Sequence, residues 1–541
     1  MECYKNIINK YQETEIYNHL EFFKSTDNSN NFIFNKIDKT YTDIGSLYLK
    51  NILLQPNFDI DTLEKKQIFI KNLQNNLYFE KINNFLKEIK ILEPDLKYII
   101  NEKYKTKEMQ KLLDNIYFKK NFLKFINKKT LLIHLFTLYT NYISPIFDIC
   151  SPLTTIISAF YMVKKYGFKL DINMIRMFIK IIYNTLNNKQ LFFVVLSILV
   201  WLSMYIYSTY KSIKNSLNNI KIINYIKNII ISISKIVYYT EEISIYLNYE
   251  LKKNDFIKHY SVYENFKIIS LGNILTDFLY IAENKHKLYN HIKFLGFIDS
   301  QISIVLLHKS THLSYSNFIK SDKPLIKAHN IFHPLLNNNI PNSITIDKYN
   351  NILITGNNAA GKSIFMKSLI ISILLSQTLT VSFTENIQFT PFNLINTHIN
   401  IPDCSGKESL FQAELNRLIN VYKQIKNNKS KFSLLVVDEL FSSTNPKEAI
   451  SASFSICKNL SKFKNSINIV TTHYDYLTKL NKYNWINYYF QGSVMDNNIS
   501  YDYKIKEGKC NSHIALKILE KKINDKKIVA DAKKIFKKLK I

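Results

Sequence analysis

One stretch constrains this chain more than any other: NILITGNNAAGKSIFMKSLIISILLSQ, from Asn351 to Gln377. Ile352, Leu353 and Ile354 read as a buried strand and Gly356 to Lys362 as a loop. Phe365, Leu369, Ile370 and Ile373 then recur at helical spacing. A strand, a glycine-bounded loop and a helix, in that order, aim backbone N–H groups and a helix N-terminus at phosphate. The residues expected to cradle it are Gly356, Asn357, Asn358, Ala359, Ala360, Gly361, Lys362, Ser363 and Ile364. Lys362 is expected to reach the β- and γ-phosphates of ATP, and the Ser363 hydroxyl to hold Mg2+.

Two further strands support this reading. FSLLVVDEL is apolar from Leu434 to Val437 and ends in Asp438-Glu439. An acid at the end of a buried strand suits a Mg2+ site, so Asp438 is the candidate metal ligand. Glu439 is the candidate base that polarises a water for in-line attack. INIVTTH ends at His473, where a polar side chain can sense the γ-phosphate. Read alone, His473 is more often an ordinary strand-end histidine; beside the other two strands the balance reverses.

Around these strands the chain changes texture. Residues 1–125 carry apolar residues at three and four spacings, as in TLEKKQIFIKNLQNNLYFEKINNFLKEIKIL, and are expected to be helical. Residues 126–215 form an apolar insertion, and 216–324 read as helical again. Short β-like runs alternating with helical ones mark 325–525 as α/β, with a basic helix over 526–541. The fold class expected is therefore a C-terminal α/β P-loop NTPase domain preceded by a mostly α-helical lever or core domain.

Within the insertion, 130–163 is apolar but interrupted by Pro145, Asp148 and Pro152, while Gln190 to Tyr210 carries no charge at all. The second run has the length that spans a bilayer core as a helix, with Lys189 and Lys211 at its ends. The competing reading is a buried helix of a helical core. If the helical halves on either side share one face of a membrane, the number of crossings must be even, and the prolines leave open whether 130–163 crosses once, twice or lies at the interface.

Composition narrows the partners. Net charge is +29, which suits nucleic acid or an anionic lipid surface. Abundant Lys, Asn, Ile, Tyr and Phe with only 9 Gly are also what AT-rich coding produces, yet the positive field is real on either account. The 5 cysteines show no metal-ligand spacing, and the N-terminus has no apolar signal core, so an intracellular location is expected.

Taken together, these motifs resemble the ATPase domain of the MutS family of DNA mismatch-repair ATPases. TGNNAAGKS stands where the family has TGPNMxGKS, DELFSSTNPKEA where it has DExxxGT, and TTHY where it has ATHY. ESLFQAELNRL is similar to its STFMxEM loop; AHNIFHPLL and IPNSITI, with His333, Pro334 and Asn342, resemble the segments that open the domain. DIGSLYLKNILLQPNFDIDTLEKKQIFIKNL, from Asp43, looks like the start of the family's lever region, and FIDSQISIVLLHKS like the helix that leads back to the ATPase.

The resemblance implies paired subunits whose composite sites take groups from both chains, with Ser409 acting in trans and a homodimer or a paired MutS-like subunit as partner. It also implies an adenine-stacking aromatic, for which Tyr503 is the candidate; a surface tyrosine is the alternative. DNA is the implied substrate. The family's mismatch-binding and connector domains have no counterpart before Asp43, and no Phe-x-Glu stands in a suitable setting. Binding to DNA structures other than mismatches is therefore expected. The alternative is a membrane-anchored, ATP-driven machine acting on a protein partner.

Overall fold

The computed structural model describes residues 15–25, 31–167, 172–185, 188–249, 270–399, 410–441, 444–495, 498–510, 519 and 526–538. The chain divides into two compact units, one of Cys3–Leu86 with Leu295–Ile541, the other of Lys87–Phe294.

In the first unit, helix α1 (Asp43–Leu53) starts at Thr42, whose hydroxyl accepts from Gly45 N, and α2 (Ile60–Gln74) starts at Asp59, which accepts from Thr62 N. Both are N-caps that satisfy donors the first helical turn leaves free. The start of α1 is pinned by buried Asp299, which accepts from Tyr41 N at 3.0 Å, Thr42 N at 2.8 Å and Thr42 Oγ1 at 2.6 Å. Burial still pushes its carboxyl up to about 6, against the pull of those three donors.

The α/β domain is built on a six-stranded sheet. Its strands are β1 (Asn351–Gly356), β2 (Leu394–His398), β3 (Ser433–Val437), β4 (Ser466–Thr472), β5 (Trp485–Met495) and β6 (Asn498–Glu507). Their order across the sheet is β6-β5-β1-β4-β3-β2; all neighbours run parallel except β5 and β6. Every residue of β3 and β4 is buried, as expected of parallel strands covered on both faces. A smaller four-stranded sheet takes Asn317–Phe318, Ile326–Ile331 and Asn342–Ile346 from before β1 and Asn386–Phe389 from between β1 and β2. The first short strands come at Ser314–Tyr315 and Asn317–Phe318, before the texture change near 325.

The helix that follows the loop runs Lys362–Leu379 and is buried except at Ser363, Ile364 and Lys367. Its C-terminal end is tied to the connection between α1 and α2. Gln377 Nε2 donates to Asn57 O at 2.9 Å, Asn57 N donates to Gln377 O at 2.8 Å, and Lys66 Nζ donates to Thr378 O. A rigid element therefore joins the loop to the connection between α1 and α2.

The second unit is helical. The run read as interrupted by prolines is helical throughout, from Thr130 to Lys165, with a π-turn at Tyr139–Ile143. Proline removes one helical N–H and crowds the carbonyl four residues back. Here the freed groups find other donors: Asn141 O accepts from Ser216 Oγ, and Asp148 O accepts from Ser151 Oγ at 3.0 Å. The uncharged run from Gln190 belongs to a single 59-residue helix, Asn188–Tyr246. A helix over Ile172–Thr185 precedes it, and Lys526–Lys538 is helical near the C-terminus.

Candidate nucleotide site

The site forms at the C-terminal edge of the parallel strands, where ligands of open α/β sheets bind. Register puts the ends of the three central strands level: Thr471 pairs with Ile354 and Val470 with Val437. The loop after β1 thus faces the acidic turn after β3 and the polar end of β4.

Two glycines bound the loop for steric reasons. Gly356 has φ +147, and a Cβ there would lie 2.5 Å from Phe490 O. Gly361 has φ +106, in the left-handed region, and a Cβ there would meet the Tyr503 ring at 3.3 Å. Between them Asn358 and Ala359 are exposed, Ala360 is buried, and Ala360 N donates to Asn357 O at 3.3 Å. Ala359 adopts φ 62 without being glycine, a strained conformation of the kind found at ligand clamps. Ser363 and Ile364 lie in the first helical turn; Ile364 is exposed.

Lys362 folds back over the loop. Its Nζ donates to Gly356 O at 2.9 Å and Asn357 O at 3.0 Å. Burial lowers its pKa, and the negative charges of Glu439 and Asp438 oppose that shift. Those acids are held from behind by Thr471, whose hydroxyl donates to Asp438 Oδ1 at 2.5 Å and accepts from Glu439 N at 3.0 Å. Asp438 N also donates to His398 O at 2.9 Å, which extends the ladder between β3 and β2. Glu439 sits at φ 56, turning its carboxylate off the strand line. Its Oε1 lies 2.5 Å from His473 Nε2. The hydrogen bond and charge of His473, helped by Lys362 and opposed by burial, hold the Glu439 carboxyl below its ordinary pKa.

Lys362, Asp438, Glu439 and His473 are therefore brought together, and Tyr503 reaches the loop through the β5–β6 pairing. Its backbone carbonyl accepts from Asn342 Nδ2 at 2.9 Å, and its ring is partly exposed beside Gly361. Ser409 lies outside the described residues, just before the helix Leu410–Asn427. Sequence pattern alone does not single out Thr471; the available signal is its place in TTHY, one residue past Val470, which pairs with Val437 just before Asp438.

Among the described residues no three His, Cys, Asp or Glu side chains cluster as a metal cage. Mg2+ does not require one, since it is commonly held by one or two protein oxygens together with substrate phosphates. Asp438 and the Ser363 hydroxyl supply that kind of donor set, so the residues present fit the ion.

Comparison with known proteins agrees with this geometry. A family model described as MutS domain V matches residues 352–540, and one described as MutS domain III matches residues 17–299. The chain is 30% identical over 186 residues to a DNA mismatch repair protein MutS from Clostridium perfringens, covering 33% of this chain and 20% of that protein. It is 29% identical over 206 residues to a protein of the same name from Aquifex pyrophilus, covering 37% and 24%. An Endonuclease MutS2 from Lactobacillus gasseri is 34% identical over 149 residues, covering 27% and 18%. The matched region spans less than a quarter of the length of each of these relatives.

Proposed function

The chain belongs to the MutS family, and from that premise we propose that it is a Mg2+-dependent ATP hydrolase that acts on DNA. The observation that carries the reading is the convergence of Lys362, Asp438, Glu439 and His473 on one sheet edge beside a strand–loop–helix turn.

In this reading the loop N–H groups and Lys362 bind and orient the phosphates. Asp438 and Ser363 complete the coordination of Mg2+, whose chemistry when bound is to neutralise charge developing on the phosphate oxygens. Glu439, kept ionised by His473, accepts the proton of the attacking water. His473 reports the state of the γ-phosphate to that carboxylate, and Tyr503 stacks on the adenine. Ser409 of a second subunit completes each site, so turnover belongs to a dimer.

The helical levers over 1–125 and 216–324 carry closure of the ATPase region, 325–525, to bound DNA. The tie between the loop helix and the α1–α2 connection supports that coupling. The +29 charge supports contact with phosphate backbones. In this reading the DNA feature bound is a structure rather than a single mismatch. A second reading keeps the same ATPase and gives the levers a protein partner instead of DNA; the apolar helices left unburied in the second unit favour it.

Two variants test the site. Lys362→Ala is expected to abolish ATP binding by removing contacts made in the ground state. Glu439→Gln is expected to keep binding and slow hydrolysis by about 10²–10⁴, the usual range for a general base. Equal nucleotide affinity in wild type and Lys362→Ala refutes the assignment.

A further inference from the structure

We propose that the outer parts of the helices Thr130–Lys165 and Asn188–Tyr246 form a two-span hairpin that crosses a lipid bilayer. This goes beyond the ATPase reading and does not depend on it.

Burial stops at a defined level along both helices. Ile133, Thr137, Asn141 and Pro145 are buried on the first, and Ser216, Asn219 and Ile223 on the second. From Ile146 to Gly167, and from Lys189 to Asn215, no residue is buried. Yet these are strongly apolar segments, with windows of mean hydropathy 1.6 and 2.1 that are 0% buried. The other helix of comparable apolarity, Lys362–Leu379, has 83% of its window buried in the α/β core. Soluble proteins rarely leave apolar surface of this extent in water.

The two helices pair antiparallel through polar contacts near the burial boundary. Asn219 Nδ2 donates to Asn141 Oδ1 at 2.9 Å, Ser212 Oγ to Asp148 Oδ2 at 2.5 Å, and Tyr205 OH to Ile149 O at 2.6 Å. Asp148 thus lies level with Ser212 and next to Lys211. Continuing the register brings Lys164 and Lys165 level with Leu196 and Val195, and Lys189 follows about 9 Å further along its helix. The stretches 149–163 and 190–210 of the two helices are free of charge. At 1.5 Å per residue they extend about 23 Å and about 32 Å, which bracket the roughly 30 Å hydrocarbon core.

Hydroxyl groups in between are satisfied within their own helix, as a hydrocarbon environment favours. Thr154, Thr155, Ser158, Ser197 and Ser203 each donate to the carbonyl three residues back on their own helix. The apolar surface is also not a stripe. Phe192, Phe193, Val194, Val195 and Leu196 are consecutive and all exposed, so they point around the whole helix. A second copy or a protein partner would cover one face; lipid covers every face.

A hairpin returns both chain ends to one face, which resolves the parity of crossings. The segment 166–188, with Arg176 and Lys180 one turn apart, is then on the opposite face.

The test uses the full chain reconstituted into sealed vesicles of phosphatidylcholine and phosphatidylglycerol. The protein should float with the vesicles and stay with them through high salt and alkaline carbonate. Molecules whose ATPase faces outward should be cut by external trypsin at Lys164, Lys165, Arg176, Lys180 and Lys189 only after detergent. Ile157→Lys combined with Leu199→Lys adds a charge midway along each exposed helix; it should abolish carbonate resistance while ATP turnover per molecule stays at the wild-type level. Release of the wild type by salt or carbonate, or cutting at the tip without detergent, overturns the proposal. So does flotation of the double variant equal to wild type. A soluble wild-type protein whose dimerisation the two lysines abolish makes the occupant a second copy, and the proposal fails.

Discussion

Thr471 offers the sharpest test of how the site is held. Its buried hydroxyl donates to Asp438 Oδ1 at 2.5 Å and accepts from Glu439 N at 3.0 Å, so one oxygen sets the positions of both acids. Thr471→Val keeps the β-branched shape that suits a buried strand and removes only that oxygen. A hydrogen bond to a charged group contributes about 1.5–3 kcal/mol, and an amide left without an acceptor costs about 1–3 kcal/mol where it is buried. Glu439 is only half-buried, which lowers the second figure, so a loss on the order of 3 kcal/mol is expected from the two together. It should appear as a lower urea midpoint with an unchanged slope. Turnover should fall further than stability explains, because a shift of about 1 Å in a reacting group costs about 10²-fold. Affinity for a fluorescent ATP analogue should hold, since Lys362 and the loop are untouched. Thr471→Ser should recover most of both quantities. A valine variant with wild-type midpoint and kcat refutes the argument. A serine variant as impaired as valine shows that the lost methyl packing, not the hydroxyl, was responsible.

Other outcomes follow from the same geometry. Because His473 depresses the Glu439 carboxyl, the base form persists below the ordinary carboxylate range, and stability it contributes is lost only as pH falls through that lowered value; His473→Ala should move the acidic limb of the kcat profile to higher pH, and an unmoved limb refutes the pairing. Gly356→Ala should destabilise by about 1–3 kcal/mol from backbone strain and displace the Phe490 backbone, which lies 2.5 Å from the added carbon; wild-type thermal unfolding of this variant contradicts the loop geometry. DNA affinity should fall steeply as salt rises, without preference for a single mismatch at fixed salt; a clear mismatch preference refutes the structural-feature reading. Finally, Ser409→Ala and Lys362→Ala subunits, each inactive alone, should regain activity when mixed, because a mixed dimer holds one intact composite site. No recovery, with a rate per subunit independent of concentration, would remove Ser409 from the site.

How much of this was legible in the sequence depends on how far apart the contributing residues lie. The strand Ile352–Ile354, its glycine-bounded loop and the helix after it were readable because hydrophobic period and glycine geometry act over a few residues. Asp438 and Glu439 were readable for the same reason, at the end of an unbroken apolar strand. Thr471 was not, since its task exists only when β3 and β4 pair in register across 33 positions. Nor was the seat of Tyr503 against Gly361, which requires β6 to fold back on β5 and β5 to lie beside β1. The insertion divides along the same line. Its apolarity is plain in the letters, but Pro145 and Pro152 read as breaks, because the donors that satisfy the carbonyls they strand, Ser216 and Ser151, are respectively on another helix and in a rotamer that composition does not specify. Whether so apolar a helix is core or surface is likewise decided by what packs on it: Lys362–Leu379 is enclosed by the α/β domain, and 146–167 with 189–215 by nothing among the described residues. Local backbone preference and hydrophobic period are written within a helical turn or a strand. Burial, register and the meeting of charged groups are properties of chain closure, where the free energy depends on partners that adjacent residues do not name.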